Sequence, residues 1–306
     1  MTIASQPLAV IDLGTNTFHL LIARPDESGG FTEIFRERRF IKLAEDGIAR
    51  IGPGPWERGL TAMRAFSDQL AFHGVTEVRA IGTAALRTAS NGAAFIDTVR
   101  EETGIEIELI DGDEEARLIH QGASLAIPFT ERTRLLMDIG GGSVEFILAD
   151  ANEVYWSRSF PIGVAVLFRD FHTEDPLPAA QQAALRTFLA KALTHLEKAL
   201  EAHPVTELVG ASGTFDVLEQ YLDDPGSDAA YTTISAEQFH PFRDKVIAMP
   251  LSERLAMEGM PPARAEMLPV ALVLLDVVIE LATIKQLLVS PFALKEGVLF
   301  EMLNAQ

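Results

Sequence analysis

The sequence predicts an α/β protein built from two similar domains with a cleft between them. Three observations support this prediction. Strand-like segments alternate with helical ones, an Asp-x-Gly hairpin motif occurs twice, and 306 residues suffice for about two domains of ~150 residues. Hydrophobic residues make up 48% of the chain, which is enough to form large cores without metals or disulfides.

The first half of the chain begins with a predicted hairpin. Two apolar runs, Leu8–Gly14 and Phe18–Arg24, are separated by a short turn of Thr and Asn residues, which is a hairpin signal. A third strand, Phe31–Leu43, is charged on one side. Pro at the start and Gly after the end delimit the first helix. The predicted helices of this half are Pro55–Phe72, Ser90–Glu102 and Asp111–Ala126. The further predicted strands are Glu77–Gly82 and Ile105–Ile110.

After Pro128 the hairpin pattern begins again and long helices follow. The predicted strands are Arg134–Ile139, Val144–Ala149, Glu153–Phe160, Glu207–Gly210 and Gln286–Ser290. The predicted helices are Pro178–Ala202, Phe215–Leu222, Ala236–Met249, Arg264–Thr283 and Ala293–Leu303. The most apolar window, 269–284, carries two acidic residues and is shorter than the ~20 residues of a membrane span, so it predicts a buried helix.

The second hairpin is an internal repeat of the first. When Asp12 is placed on Asp138, VIDLGTNTFHLLIA lies on LMDIGGGSVEFILA. The Asp, the first Gly and the final Ala coincide, and the apolar positions agree. We therefore predict two similar domains, 1–127 and 128–306, with the closing helix 293–303 as a candidate to pack back on the first domain.

Both hairpin turns have residues suited to binding an anion. Glycines after a strand let backbone N–H groups converge on an anion without an obstructing Cβ, and hydroxyls add donors. An Asp beside such a turn can hold Mg²⁺, usually through water. The turns contain Asp12, Gly14, Thr15, Asn16 and Thr17, and Asp138, Gly140, Gly141, Gly142 and Ser143. One copy alone would favour a plain hairpin capped by its Asp, whereas two copies favour a phosphate site.

Three further segments suit the same chemistry. Gly210–Thr214 ends a strand and opens a helix, and helix N-termini bind phosphate readily. The helix predicted from Asp111 has three acids in its first turn. Either these acids form a solvated helix start that the helix dipole favours, or one of them is a carboxylate that orients a water molecule. Arg87 follows a strand and is either a surface residue or a guanidinium fork on a phosphoryl group.

The composition excludes several classes of function. A net charge of −19 argues against general nucleic-acid binding, which needs a basic surface. With no Cys, thiol nucleophiles, Cys zinc sites and Fe–S clusters are ruled out. No P-loop motif occurs. The N-terminal segment has neither a basic region nor a long apolar stretch, so we expect a cytoplasmic protein that binds no membrane.

Two groups of basic or titratable residues are interpreted as structural. The histidines show no metal-ligand spacing, and His19 lies within a predicted strand. The densest basic cluster is interpreted as a solvated strand face, although it could also attract an anionic substrate. It comprises Arg36, Arg38, Arg39 and Lys42.

These elements, in this order, resemble the exopolyphosphatase / guanosine pentaphosphate phosphatase (Ppx/GppA) family, which belongs to the actin-like ATPase superfamily. The resemblance runs from residue 9 to residue 303 and implies two actin-like, ribonuclease H-like domains. It rests on AVIDLGTNTFHLLIA, AIGTAALRTASN, IELIDGDEEARLIHQG, LLMDIGGGSVEF, LVGASGTFDVL and ALKEGVLFEML. Many relatives have additional C-terminal domains, so the chain resembles a short form of the family.

The resemblance also implies roles for individual residues. Glu115 matches the catalytic carboxylate that activates water for attack on a terminal phosphate, and Arg87 matches an Arg that binds that phosphate. Asp138 and Glu145 match acidic residues linked to Mg²⁺ and catalysis. The implied phosphate-binding loops contain Gly140, Gly141, Gly142 and Ser143, then Asp12, Thr15 and Asn16, and finally Ser212, Gly213 and Thr214.

The repeat adds a prediction about the metal. Asp12 and Asp138 occupy equivalent positions, so both are expected to face the cleft, where two acids without a cation would repel each other. Oxygen ligands without Cys or a His pair point to Mg²⁺, with Mn²⁺ as an alternative, rather than zinc. The predicted ligands are Asp12, Asp138 and Glu145.

The predicted function is release of terminal phosphate from inorganic polyphosphate, from guanosine pentaphosphate (pppGpp) or from both, by metal-assisted attack of water. The expected partners are polyphosphate or guanosine penta- and tetraphosphate nucleotides, and a homodimer stays open because long relatives dimerise. Two alternatives are an ATP-dependent kinase of the same superfamily and a non-catalytic nucleotide or polyphosphate sensor. The short form is expected to prefer short polyphosphates.

Overall fold

The structure is a computed structural model that describes residues 6–26, 30–223 and 231–305. Their contacts divide the chain into two compact units. Unit 1 comprises the chain up to Gly122 together with the residues from Leu294 onward, and unit 2 comprises Ala123–Ala293. Each unit contains one β-sheet with helices packed on it.

The secondary-structure elements alternate along most of the chain. The strands are β1 (Leu8–Leu13), β2 (Thr17–Pro25), β3 (Phe31–Phe40), β4 (Glu77–Gly82), β5 (Ile107–Leu109), β6 (Arg134–Ile139), β7 (Val144–Ala149), β8 (Val154–Phe160), β9 (Glu207–Ala211), β10 (Thr232–Ser235) and β11 (Gln286–Val289). The helices are α1 (Pro53–Phe72), α2 (Ala84–Thr88), α3 (Gly92–Thr103), α4 (Gly112–Ala126), α5 (Val164–Phe171), α6 (Ala179–Ala192), α7 (Thr194–Ala202), α8 (Gly213–Leu222), α9 (Ala236–Ala248), α10 (Leu251–Leu255), α11 (Pro262–Ala282) and α12 (Leu294–Asn304).

The two sheets have the same strand arrangement. In unit 1 the order is β3-β2-β1-β4-β5, with β1 to β3 antiparallel and with β4 and β5 parallel to β1. In unit 2 the order is β8-β7-β6-β9-β11-β10, with the same directions and an antiparallel β10 added at the edge. This arrangement confirms the predicted α/β class and its two actin-like, ribonuclease H-like folds.

The central strands explain why the hairpin motif is so apolar. Strand β6 is buried at every residue, and β1 is buried except at Asp12. A strand covered by helices on both faces reads as a continuous apolar run, without the polar alternation of a half-exposed strand. Each unit has its own core, with Phe18, Phe66 and Phe95 in unit 1 and Phe146 in unit 2.

The apolar window 269–284 lies almost entirely within α11, as its prediction as a buried helix requires. Its acidic residue Asp276 is fully buried and forms ion pairs with Arg186 and Arg243, so the buried charge is compensated. None of the helices that the structure describes combines the length and the apolar character needed to cross a membrane.

Several short elements were not predicted from the sequence. The helices α2, α5 and α10 have five to eight residues and β10 has four, so they are too short to display a helical or strand period. The single helix predicted at 178–202 is wrong, because it is divided into α6 and α7 at Leu193. Leu193 caps the end of α6 with ψ of 9°, away from the helical value.

Candidate functional site

The predicted residues of unit 1 lie at the carboxyl ends of three neighbouring parallel strands. Asp12 is near the end of β1, Arg87 follows β4, and Glu115 follows β5. In open α/β sheets this edge is where ligands bind, because the loops leaving the strands converge there. The Thr83 N–H donates to Leu13 O at 3.4 Å, which links the segment after β4 to the hairpin turn.

The hairpin turn of unit 1 spans residues 14–17. The Gly14 N–H donates to Thr17 O at 3.0 Å, and a Cβ at position 14 would lie 3.0 Å from that oxygen, so the tight turn favours glycine. Thr15 and Thr17 are buried. Asp12 lies directly opposite His19 in the antiparallel ladder, so the two side chains share one face of the sheet.

Arg87 and Glu115 approach each other within unit 1. The Nη1 atom of Arg87 lies 3.6 Å from Oε2 of Glu115 and donates to Ile110 O at 2.5 Å. Glu115 is only 6% exposed, although it sits in the first turn of α4. A nearly buried carboxylate beside a guanidinium is the kind of pair expected at a reactive centre, since most first-turn acids of helices are solvated.

Glu114, the neighbouring acid, has a different environment. Its carboxylate binds Arg117 through two hydrogen bonds of 2.7 Å each. These hydrogen bonds lower the pKa of Glu114 below its ordinary value. Asp111 caps the helix, because its Oδ1 accepts from the Glu114 N–H at 2.9 Å.

A network of charges connects this helix start to other elements of unit 1. Arg117 also binds Glu301 of α12 at 2.6 Å, and Glu301 binds Arg79 of β4 at 2.9 Å. Because these residues come from α4, α12 and β4, the network joins the helix that carries Glu115 to the sheet.

The predicted residues of unit 2 occupy the corresponding edge of their sheet. Asp138 is near the end of β6, and the segment Ser212–Thr214 follows β9, whose Ala211 is the parallel partner of Asp138. The glycine-rich turn and the third loop therefore lie beside each other. Ser143 and Thr214 are both buried at this edge.

The carbonyl groups of the glycine-rich turn are bound from one side. The N–H groups of Val164, Ala165 and Gly163 donate to the oxygens of Gly140, Gly141 and Gly142 at 3.0, 2.9 and 3.2 Å. In a trans peptide the C=O of one residue and the N–H of the next point in opposite directions. The N–H groups of residues 141–143 therefore point away from α5, and nothing in the described part of the chain accepts from them. Successive backbone N–H groups of this kind can bind an anion.

Two buried carboxylates lie next to this turn. Asp138 and Glu145 are direct cross-strand partners and are 6% and 2% exposed. Ser159 on β8 donates to Oε1 of Glu145 at 2.7 Å. Two oxygen donors of this kind fit a hard divalent cation that keeps several waters or takes oxygens from a substrate. Across residues 6–26, 30–223 and 231–305, no cluster of three or more His, Asp or Glu could surround a metal.

The third loop, Ser212–Thr214, contains a residue with a strained backbone. It is also contacted by an arginine of α11 that the sequence did not indicate. Ser212 has φ of 69° and ψ of 179°, a backbone region almost restricted to glycine, and such strain concentrates at ligand sites. Arg264 of α11 packs directly on Gly213, since a Cβ there would lie 1.5 Å from Nη2. Sequence pattern could not connect Arg264 to this loop because 51 positions separate it from Gly213.

Two members of the basic cluster, both on β3, form ion pairs with acids of unit 1. Arg36 pairs with Glu33 at 2.7 Å and with the buried Glu296 at 3.2 Å. Arg39 pairs with Glu37 at 2.7 Å. Arg36, Arg38 and Arg39 lie on the strand as predicted, whereas the prediction is wrong for Lys42, because β3 ends at Phe40 and Lys42 has a φ of 53°.

Comparisons with known proteins place the chain in a family. A family model described as the Ppx/GppA phosphatase family matches residues 21–306. The chain is 30% identical over 301 residues to the guanosine-5'-triphosphate,3'-diphosphate pyrophosphatase of Aeromonas salmonicida (strain A449). That match covers 97% of this chain and 59% of that protein, so the chain spans about three fifths of the length of this curated relative.

Solved structures agree with this placement. The crystal structure of an exopolyphosphatase from Cytophaga hutchinsonii ATCC 33406 matches with a TM-score of 0.93 and 37% identity over 98% of each chain. The Aquifex aeolicus member of the Ppx/GppA family matches with a TM-score of 0.80 over 98% of each chain, and at 24% identity it shows the common fold. The chain therefore belongs to the Ppx/GppA phosphatase family.

Proposed function

We propose that this protein is a phosphohydrolase that releases the terminal phosphate of inorganic polyphosphate, of guanosine pentaphosphate or of both, with a divalent metal ion and attack by water. The observation that carries the proposal is the nearly buried Glu115 carboxylate, 3.6 Å from the Arg87 guanidinium in the first turn of α4. The named relatives, a guanosine-5'-triphosphate,3'-diphosphate pyrophosphatase and an exopolyphosphatase, support the same reaction class.

Glu115 is the proposed general base, and the contrast with Glu114 supports this choice. Glu114 already accepts two hydrogen bonds from Arg117, which lower its pKa and make it a poorer proton acceptor. A general base must also lie within hydrogen-bond reach of the water that it deprotonates. Arg87 would bind the phosphoryl oxygens, because its planar guanidinium can donate two parallel hydrogen bonds.

The N–H groups of residues 141–143 are the proposed main-chain donors to the phosphate, with the Ser143 hydroxyl nearby. The hairpin turn of unit 1, with Asp12, Gly14, Thr15, Asn16 and Thr17, and the third loop, with Ser212, Gly213 and Thr214, are also proposed to bind phosphate oxygens. Fixed donors of this type stabilise the charge that phosphoryl transfer redistributes, without reorganising during the reaction.

Mg²⁺, with Mn²⁺ as an alternative, is the proposed cofactor, and Asp138 and Glu145 would hold it. Two buried carboxylates facing each other across a hairpin repel, and a bound cation removes that cost. When bound, the cation neutralises charge on the phosphoryl oxygens. Asp12 is proposed as at most an outer ligand, because its cross-strand partner is His19 and not a second acid.

The reaction can be written with these groups. Glu115 accepts a proton from a water molecule as the water oxygen forms a bond to the terminal phosphorus. The bond from that phosphorus to the bridging oxygen breaks, and the electron pair remains on the shortened phosphate chain. Arg87 and the loop amides hold the phosphoryl oxygens throughout. The products are orthophosphate and a chain that is shorter by one phosphate, and Glu115 returns its proton to solvent.

Phosphate release from tripolyphosphate, from long polyphosphate and from guanosine pentaphosphate, measured side by side with Mg²⁺, tests the proposal. We expect release from at least one substrate and higher kcat/KM for short than for long polyphosphate. Affinity for a long polyanion grows with the number of basic contacts, and this chain has a net charge of −19. ATP-dependent phosphorylation without hydrolysis would indicate a kinase, and binding without turnover would indicate a sensor.

A further inference from the structure

Both units bind the carbonyl groups of their hairpin turn with the residues that follow the third strand. In unit 2 these are residues 163–165, after β8, as described above. In unit 1 they are residues 41–43, after β3: the N–H groups of Ile41 and Lys42 donate to Asn16 O at 2.8 and 3.0 Å, and Leu43 N–H donates to Thr15 O at 2.8 Å. We name residues 41–43 the first strap and residues 163–165 the second strap.

The two straps bind equivalent positions of the repeat. Thr15 corresponds to Gly141 and Asn16 to Gly142 when Asp12 is placed on Asp138. The carbonyls of both equivalent pairs accept hydrogen bonds from a strap. The straps themselves share no sequence, since one reads IKL and the other GVA. Two segments with unrelated side chains therefore make the same backbone hydrogen bonds. This indicates that the backbone contact, and not the side chains, has been retained in both units.

Each strap reaches its turn through a backbone feature of its own. In the first strap Lys42 has φ of 53°, in the left-handed region that is uncommon for residues other than glycine. In the second strap Gly163 lies against the turn, because a Cβ at that position would be 2.4 Å from the carbonyl carbon and oxygen of Gly141. These are backbone atoms, so they cannot move aside as a flexible side chain could.

We propose that the two straps are positioning segments, each of which holds the carbonyls of the hairpin turn in its own unit so that the N–H groups that follow in that turn face a bound phosphate group. The inference rests on the proposed function, since it assigns the turns to phosphate binding. It adds that the backbone conformation of Lys42, and not its ammonium group, positions the first strap. In the second strap, Gly163 lets the backbone lie close to Gly141, and Val164 donates its N–H to Gly140 O.

The second strap can be tested by removing a single donor. Val164 is the first residue of α5, where proline fits because that position needs no intrahelical N–H bond. Its N-cap, Gly163, has ψ of 162°, which a following proline tolerates. Val164→Pro deletes the hydrogen bond to Gly140 O, whereas Val164→Ala keeps the N–H and loses only side-chain packing. We expect Val164→Pro to bind phosphate at least about tenfold more weakly than Val164→Ala, roughly the value of one hydrogen bond.

The first strap can be tested with two substitutions that both remove the ammonium group. Lys42→Gly accepts a positive φ without strain, whereas Lys42→Ile places a β-branched residue in a conformation that strongly disfavours it. If the ammonium group were the functional part, the two variants would be equally impaired. We expect Lys42→Gly to bind phosphate several-fold more tightly than Lys42→Ile, since only the isoleucine variant displaces the strap.

Binding should be measured by calorimetry with imidodiphosphate, whose P–N–P bridge resists hydrolysis, in the presence of Mg²⁺, and turnover should be measured separately. Thermal melting checks that each variant is folded, and an unfolded Val164→Pro leaves the Lys42 pair to decide. The proposal would be overturned if the two Lys42 variants had equal affinities and the two Val164 variants, where both fold, also had equal affinities. It would also be overturned if the wild-type protein did not bind imidodiphosphate. A wild-type protein that binds it but releases no phosphate would overturn the proposed function and leave the strap comparison valid.

Discussion

The two hairpins of this protein have the same backbone and different chemistry. In each, an Asp near the end of the first strand precedes a four-residue turn, and a strap binds the carbonyls of that turn. The residue opposite the Asp differs: it is His19 in unit 1 and Glu145 in unit 2. An Asp opposite a His does not concentrate negative charge in the way that two carboxylates opposite each other do.

The turn backbone and the cross-strand side-chain pair are two parts of the same sequence motif, and they suit different tasks. The turn backbone, present in both units, suits the binding of phosphate oxygens. The cross-strand side-chain pair differs between the units, and only in unit 2 are both residues acids. Unit 1 instead has Glu115 and Arg87 after its later strands, where unit 2 has Ser212–Thr214 after β9. In the proposed function, Glu115 of unit 1 is the base, and Asp138 and Glu145 of unit 2 are the metal ligands.

The largest effect is expected from the proposed base. Glu115→Gln keeps the size of the side chain but cannot accept a proton, so turnover should fall by about 10²-fold or more while phosphate binding persists. Glu114→Gln is the matched control, because Glu114 is bound to Arg117 and should affect turnover little. The measurement is kcat for phosphate release from tripolyphosphate. A Glu115→Gln variant with near-normal kcat would transfer the role to Glu114 or Glu145.

The next effect concerns the Mg²⁺ requirement and compares the two units directly. Asp138→Asn should raise the Mg²⁺ concentration needed for half-maximal rate at least about tenfold, since even the loss of a group that orients a metal ligand has effects of 10–100-fold. Asp12→Asn should change it less, because Asp12 faces His19. Activity should disappear with EDTA and return with Mg²⁺. Equal shifts in both variants would contradict the division of roles between the units.

A smaller change in the same requirement is expected from Ser159. This residue donates to Oε1 of Glu145, so it fixes the orientation of a proposed metal ligand without being one. Ser159→Ala should raise the half-maximal Mg²⁺ concentration by about tenfold, at the lower end of that 10–100-fold range, and leave kcat at saturating Mg²⁺ nearly unchanged. Ser157→Ala, two residues earlier on the same strand, serves as the control. A lower kcat at saturating Mg²⁺ would instead indicate a role in the chemical step.

The sequence predicts much of this arrangement because each copy of the hairpin motif lies within a short stretch of the chain. The hairpins, their Asp-x-Gly turns and the helix that carries Glu115 follow from apolar runs and turn residues in short windows. The bidentate contact that distinguishes Glu114 from Glu115 depends on side-chain conformations, which periodicity does not determine. Lys42, Gly163 and Arg264 contact their turns across the fold, so no local pattern points to them. Comparing the segments after the third strand of each repeat could have identified the straps.

The smallest expected effect is a pH dependence of stability in unit 2. The His172 side chain is 3% exposed at the end of α5, and burial lowers its pKa below the ordinary value. Asp175, 3.3 Å away, acts in the opposite direction without cancelling this shift, and Arg254 adds to it. Since the unfolded chain then binds a proton at a pH where the folded protein does not, stability is retained above the ordinary His pKa of about 6.5 and falls as the pH decreases below it.

His172→Gln removes this titration and should flatten the decrease in melting temperature between pH 6.5 and pH 5. His195→Gln, at an exposed position on α7 of the same unit, is the control for replacing a histidine by glutamine. The measurement is thermal unfolding followed by circular dichroism at half-unit pH steps. If both variants keep the wild-type slope, the acid sensitivity has its origin in other groups, such as the His120 imidazole of unit 1, whose pKa burial also lowers. A flattened slope for His172→Gln alone would show that a titrating group of unit 2 accounts for the acid sensitivity in this pH range.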